Sequence, residues 1–179
     1  MYSTYLLLNH RRLVAHMMKL LIIFTLIIKQ NEYNCMARAK LTIVVRMFLQ
    51  QKSKVLLLKQ TAKNGGNYTM VGGKIDQNEM AVTALIRESY EEVGVSIQEK
   101  HLKLVHVVNR ARPSSNELIL VFRAKKWMGE PKSMEKEKFE SIGWFDPVDL
   151  PKETLALYKH VLKHYAKRKH YSEYFDADA

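Results

Sequence analysis

Residues 73–95 read Gly73-Lys74-Ile75-Asp76-Gln77-Asn78-Glu79-Met80-Ala81-Val82-Thr83-Ala84-Leu85-Ile86-Arg87-Glu88-Ser89-Tyr90-Glu91-Glu92-Val93-Gly94-Val95. From about Glu79 to Val93 the apolar spacing is helical. At 100° per residue, Glu88, Glu91 and Glu92 fall at about 0°, −60° and +40°, on one narrow face. Val82, Leu85, Ile86 and Val93 fill an adjoining arc from roughly 60° to 160°, which must be buried. Three mutually repelling carboxylates beside a buried face are costly unless a cation neutralises them. Oxygen ligands alone suit a hard divalent ion, Mg²⁺ or Mn²⁺, which keeps several waters and takes phosphate oxygens as further ligands. Gly94, just past the last periodic residue, is placed for a helix C-cap. A solvated acidic face is the commoner fate of such a cluster, and the three glutamates alone leave that alternative open.

The flanking sequence frames this helix with strands. Leu41, Ile43, Val45, Met47 and Leu49 alternate with Thr42, Val44, Arg46 and Phe48, and Lys54–Lys59 follows as a second strand. Asn64-Gly65-Gly66-Asn67 is a turn before a short strand at Tyr68–Val71. Leu102–Arg110 and Glu117–Lys126 predict a hairpin, and Ile142–Phe145 a last short strand. A C-terminal helix is expected from about Thr154, with Leu155, Tyr158, Val161, Leu162 and Tyr165 on one stripe. Several strands with two helices this far apart predict an α/β (mixed α+β) sandwich rather than a doubly wound parallel sheet.

The quoted stretch resembles the Nudix box, Gly-x5-Glu-x7-Arg-Glu-U-x-Glu-Glu-x-Gly-U with U apolar. Gly73, Glu79, Arg87, Glu88, Glu91, Glu92, Gly94 and Val95 all fall on it. Gly129-Glu130-Pro131, residues 144–151 and Tyr171–Tyr174 are similar to downstream features of MutT-like Nudix proteins, so the resemblance spans about 40–174. It implies an α/β/α sandwich with a mixed sheet and a catalytic loop–helix–loop. It also implies metal-dependent hydrolysis of nucleoside diphosphates linked to another group. On that resemblance Glu91 and Glu92 are metal ligands, and Glu88 is a ligand or the base that activates water. The Gly73 carbonyl is a further ligand candidate, Arg87 orients the carboxylates, and Glu79 braces the loop. A further acid from a distant loop is expected, with Glu130 and then Glu137 as candidates.

Two positions depart from the box. Ser89 replaces an apolar residue inside the buried arc, where its hydroxyl can bond back to the Leu85 carbonyl, costing stability rather than chemistry. Asn78 replaces the glycine that commonly precedes the box glutamate; asparagine tolerates positive φ and is also a good N-cap.

Other features carry less. His160 and His164 are spaced i, i+4 but lack a third ligand nearby, so a solvated basic face is the expectation. Trp127, Trp144 and Tyr68 could stack on a base, or pack in the core at strand ends. Gly65-Gly66 lacks the Lys-Ser/Thr that a Walker-type phosphate loop requires. The single cysteine, Cys35, excludes a disulfide framework and a cysteine-based zinc site. It falls outside the proposed domain, which argues against the Nudix isomerases.

The chain has 179 residues and a formal net charge of +11, enough for one ordinary domain. Residues 1–35 stand apart as an N-terminal extension, with residues 36–179 as the Nudix domain. The extension holds the nine-residue apolar run Leu20–Ile28, too short to span a bilayer without burying Lys19. An upstream extension or misplaced start, a short anchor or interfacial helix over residues 13–28, and a cleaved signal are the three readings of it. Setting it aside removes four basic residues and one acid, leaving +8. Much of that charge sits at Lys159, Lys163, Lys167, Arg168 and Lys169.

The expected function is a Mg²⁺- or Mn²⁺-dependent pyrophosphohydrolase on a small nucleotide, with oxidised dNTPs favoured by analogy. The expected molecule is cytoplasmic, a monomer or homodimer, and without a DNA partner. A 5′-end RNA pyrophosphohydrolase that holds RNA on the basic C-terminal helix is the second reading, and a non-catalytic nucleotide sensor the third. Against RNA, the basic tract looks like one helix face without interleaved aromatics.

Overall fold

The computed structural model describes residues 40–113 and 115–177; the expectations for residues 1–35, Cys35 among them, lie outside these. Seven strands form the sheet: β1 (Lys40–Gln51), β2 (Lys54–Gln60), β3 (Tyr68–Thr69), β4 (Leu102–Ala111), β5 (Ser115–Ala124), β6 (Phe139–Phe145) and β7 (Tyr171–Phe175). Among the described residues two α-helices accompany them, α1 (Ala81–Val93) and α2 (Ala156–Ala166). The strand order is β3-β2-β1-β5-β4-β7, with β6 also paired to β2. β1 runs parallel to β5 over Lys40↔Ser115 to Leu49↔Ala124, and β4 parallel to β7, while the remaining pairs are antiparallel. The sheet is therefore mixed, as the sequence predicts.

β1 explains the sandwich. Its alternate residues Val45, Met47 and Leu49 join a core cluster with Leu85 and Val93 of α1. Val44 and Phe48, facing the other way, join Leu157, Tyr158, Val161 and Leu162 of α2. A strand apolar on both faces must be covered twice, and one helix covers each side. Each fully buried leucine or phenylalanine contributes about 1.5–3 kcal/mol relative to exposure.

β1 also changes partner along one edge. Only Gln50 and Gln51 pair with β2. Earlier in the strand, the Met47 amide donates to the Val71 carbonyl at 2.8 Å and the Val45 amide to the Gly73 carbonyl at 2.9 Å. The glycine loop is thereby held against the centre of the sheet.

Several boundaries differ from expectation. β3 stops at Thr69, and Val71 makes only an isolated bridge to Met47. α1 begins at Ala81 rather than Glu79, because the Glu79 carboxylate is bonded within the preceding loop; Met80 is its N-cap, so Asn78 is not. Asn78 instead takes φ 64°, the left-handed alternative. β6 starts at Phe139, α2 at Ala156, and β7 has no counterpart in the predicted strands. β7 presents only Ser172 as a fully buried residue, so its sequence lacks an apolar period-two signal.

Candidate active site

The glycine loop meets α1 at very close range. Gly72 adopts φ +123°, and a Cβ there would come within 2.3 Å of the Val45 carbonyl oxygen. A Cβ on Gly73 would lie 2.3 Å from Glu88 Oε1. Only glycine lets backbone and carboxylate approach so closely.

Arg87 organises the acids around it. Its Nε donates to Glu79 Oε1 at 3.0 Å and its Nη2 to Glu79 Oε2 at 2.9 Å, a bidentate pair. Its Nη1 donates to Glu88 Oε1 and to Glu91 Oε2, both at 3.0 Å. The Asp76 amide adds a bond to Glu79 Oε2 at 3.1 Å. These contacts hold the Glu79 carboxyl below the usual carboxylate range, Arg87 first and the Asp76 amide second. The same partners raise the Arg87 guanidinium further above its already high value.

The helix is rotated relative to the sequence expectation. Its buried residues are Ala84, Leu85, Ser89, Glu92 and Val93, an arc centred near Glu92 rather than on the apolar stripe. Ser89 is fully enclosed and donates to the Leu85 carbonyl at 2.5 Å, the bond expected of it. Glu92 is 5% exposed, whereas the Glu91 side chain is 47% exposed. The carboxylates thus share a face but not an environment. Loss of water pushes the Glu92 carboxyl up to about 8, against the 2.7 Å bond it accepts from the Gly72 amide. Gly94 closes the helix in the left-handed conformation, φ 70°.

A loop acid completes the cluster, and the sequence reading missed it. The Met134 amide donates to the Glu92 carbonyl at 3.0 Å and the Lys132 amide to the Val93 carbonyl at 3.1 Å, pinning residues 132–134 to the end of α1. Glu135 follows directly, and its charge adds to the upward pressure on Glu92. Lys138 bonds Glu135 Oε1 at 2.7 Å, while Oε2 is buried and has no partner among the described residues. Glu130 and Glu137, the two loop acids expected from the sequence, are both exposed. All three are isolated glutamates in one polar loop, and only the pinning of 132–134 distinguishes Glu135.

Beside the box lies a concavity of about 530 Å³, lined by Leu41, Ile43, Lys74, Ile75, Glu79, Met80 and Leu120 among others. Its apolar floor comes from β1 and β5, and its charged rim from the box. Trp127 and Trp144 are stacked 5.9 Å apart and packed on the core, and Tyr68 packs edge-on against Phe145.

The histidine pair departs from expectation. His160 and His164 are half-buried rather than on a solvated face: β7, the strand not predicted, packs against His160 through Ser172 and Tyr174, and the His164 ring lies against those of His106 and His160. His160 Nε2 and His106 Nε2 both bond Ser172 Oγ, at 2.9 and 2.8 Å.

Among the described residues no three metal-ligating side chains already converge in binding geometry. The acids of α1 are held instead by Arg87 and the Gly72 amide. A divalent cation nevertheless fits the chemistry here. Among the described residues, Glu92 is desolvated with no cation in salt-bridge contact, Glu135 Oε2 is buried without a donor, and the Glu88 carboxylate lies against Gly73, an all-oxygen donor set of the kind a hard divalent ion takes.

The sequence model of the NUDIX domain family matches residues 40–165. The NAD-capped RNA hydrolase NudC of Chromobacterium violaceum is 30% identical over 106 residues, 59% of this chain and 38% of the relative. The 8-oxo-dGTP diphosphatase of Proteus vulgaris is 27% identical over 97 residues, 53% of this chain and 85% of the relative. The chain thus matches well under half the length of the NudC relatives. The crystal structure of a MutT NUDIX hydrolase from Burkholderia pseudomallei superposes with a TM-score of 0.63 at 26% identity, covering 69% of this chain and 97% of that one.

Proposed function

The chain belongs to the NUDIX domain family, and on that premise we propose that it is a Mg²⁺- or Mn²⁺-dependent pyrophosphohydrolase of a free nucleoside di- or triphosphate. The observation that carries this is the juxtaposition of the acid cluster with the apolar concavity, which share Glu79 at their border. A nucleotide has the matching form, with an apolar base at one end and phosphates at the other.

Glu88, Glu91, Glu92 and the Gly73 carbonyl would hold the ion. When bound, it would offset phosphate charge and acidify an attacking water. Arg87 fixes the Glu88 and Glu91 side chains so that they are ordered before substrate arrives. Glu135, whose Oε2 is buried without a donor, would accept the proton of the attacking water. Lys74 borders the concavity and draws the phosphates toward the box. Leu41, Ile43 and Leu120 receive the base by apolar contact, which selects for shape rather than for particular hydrogen bonds.

An oxidised purine dNTP is the favoured substrate, in keeping with the named activity of the Proteus vulgaris relative. The named activity of the Chromobacterium violaceum relative supports a second reading, a nucleotide at the capped 5′ end of RNA. We take residues 36–179 as the working unit. Among the described residues no helix is long and apolar enough to cross a membrane.

The test is release of phosphate or pyrophosphate from a panel of nucleotides, and of the cap mononucleotide from NAD-capped RNA, with Mg²⁺, with Mn²⁺ and with chelator. Release that needs the ion, and that falls at least about 100-fold in Glu92→Gln, is expected, because removing even an outer-sphere partner of a metal costs 10–100-fold. Nucleotide binding without any release would sink the hydrolase in favour of a sensor. Faster turnover of capped RNA than of free nucleotides would replace the favoured substrate.

A further inference from the structure

Three concavities adjoin one another, and basic residues line each of them. The first, about 450 Å³, is bordered by Lys103, Arg123, Arg168, Lys169, His170 and Tyr165. The second, about 240 Å³, shares Lys103 and Arg123 with it and adds Lys100, His101, Lys125 and Lys126. The third, about 680 Å³, shares Lys125 and Lys126 with the second and adds Lys52 and Trp127. Shared walls make them one continuous track.

Among the described residues no acidic one lines any of the three. Among the described residues, Lys103, Arg123, Lys125, Lys126 and Arg168 have no carboxylate within salt-bridge distance. The cations come from separate segments: the turn before β4, β4 itself, the end of β5, the β1–β2 turn and the loop after α2. Arg168 and Lys169, at the end of the basic C-terminal tract, are therefore one wall of a larger surface, while Lys159, Lys163 and Lys167 border a separate concavity. Arg123 is held in place by its bond from Nη1 to Tyr165 Oη at 2.8 Å. Lys52 and Arg168 both adopt positive φ, 54° and 56°, a conformation that side chains bearing a Cβ seldom take.

We propose that this track binds the backbone of a single-stranded polynucleotide. Converging unpaired cations at this density repel one another and call for a polyanion. Recessed, serially connected concavities follow a chain of phosphates, whereas a membrane-binding surface presents its lysines around protruding apolar residues. Trp127 and Tyr165 are half-buried on the core yet still border the track, leaving partial aromatic surface of the kind that bases of a single strand use and a base-paired duplex does not. Among the described residues, none of the acid cluster lines the track, and the track shares no lining residue with the apolar concavity beside that cluster. The proposal thus stands independently of the hydrolase reading.

Fluorescence anisotropy with a labelled oligouridine RNA of about 15 nucleotides tests it. Lys103→Glu combined with Lys125→Glu, both exposed positions, should weaken binding at least tenfold, with thermal melting confirming the fold. The slope of log affinity against log salt should become shallower by about 1.4, since each lost phosphate contact on a single strand removes about 0.7. Arginine at both positions should restore affinity, and Glu92→Gln should leave it intact even if hydrolysis is abolished. Unchanged affinity in the double glutamate variant would overturn the proposal. So would tighter binding of duplex RNA, or of phosphatidylserine vesicles, through the same lysines.

Discussion

Gly73 and Gly72 have the same chemistry and opposite consequences on substitution. A Cβ on Gly73 would meet the carboxylate end of Glu88 at 2.3 Å, and that side chain can swing away. The fold should therefore tolerate Gly73→Ala, while Glu88 is displaced by about an ångström, a misplacement that costs on the order of 100-fold in turnover. Steady-state kinetics beside a melting curve would check this: reduced kcat with a Tm close to wild type is the expected pair. A Cβ on Gly72 would instead meet the backbone of Val45, in a left-handed conformation that disfavours any side chain. Gly72→Ala should cost about 2 kcal/mol or more, read from denaturant unfolding.

At the scale of elements, β4, α2 and β7 meet at a histidine network whose protonation is fixed by its partners. His106 Nδ1 faces the Lys169 carbonyl at 2.8 Å, which can only accept, so this nitrogen carries the proton. His106 Nε2 then accepts from Ser172, whose oxygen accepts from His160 Nε2. The chain of bonds is complete with both imidazoles neutral. Burial first, then the neighbouring charges of His164 and others, lowers both His106 and His160 from their ordinary value. A histidine lowered in the folded state binds its proton more readily when unfolded. The stabilisation is therefore fully present above about pH 6.5 and is lost as pH falls below that value. Tm should drop between neutral pH and about pH 5.5, and His106→Gln should flatten that dependence while lowering Tm at neutral pH; a parallel profile in the variant would refute the assignment.

For the molecule as a whole, charge is sorted by region. An ion-pair group ties β4, β5 and the chain after β7 together. Glu117 accepts from Arg110 Nη1 and Arg112 Nη1, both at 3.0 Å, and Arg110 also pairs with Asp176. The Glu117 side chain is 12% exposed, and its loss leaves two partly buried guanidinium groups sharing the single carboxylate of Asp176. Glu117→Gln should destabilise by about 3 kcal/mol, at the lower end of what breaking a buried pair costs, as measured by chemical denaturation. The acid cluster, the basic track and this group occupy different parts of the fold, so a net charge of +11 describes none of them.

The sequence by itself determined the box, its helix, the mixed α/β class and the grouping of Glu88, Glu91 and Glu92 on one face. These follow from local spacing and the fixed periods of helix and strand, which the chain carries in one dimension. Only the tertiary structure decided that Glu92 is enclosed while Glu91 is half exposed, because burial depends on what α1 packs against, not on its own periodicity. Glu135 could not be told from Glu130 or Glu137 until two backbone bonds pinned its loop to α1. β7 was hidden because a strand whose one fully buried residue is a serine lacks the alternation that marks strands, and with it went the environment of His160 and His164. Arg168 and Lys169 read as part of one basic helix face until Lys103 and Arg123, distant in sequence, were brought beside them, with Lys100 and Lys125 next in line through the pairing of β4 with β5. Contacts between residues far apart in the chain leave no periodic trace, and in this protein they set the environments of its charged groups.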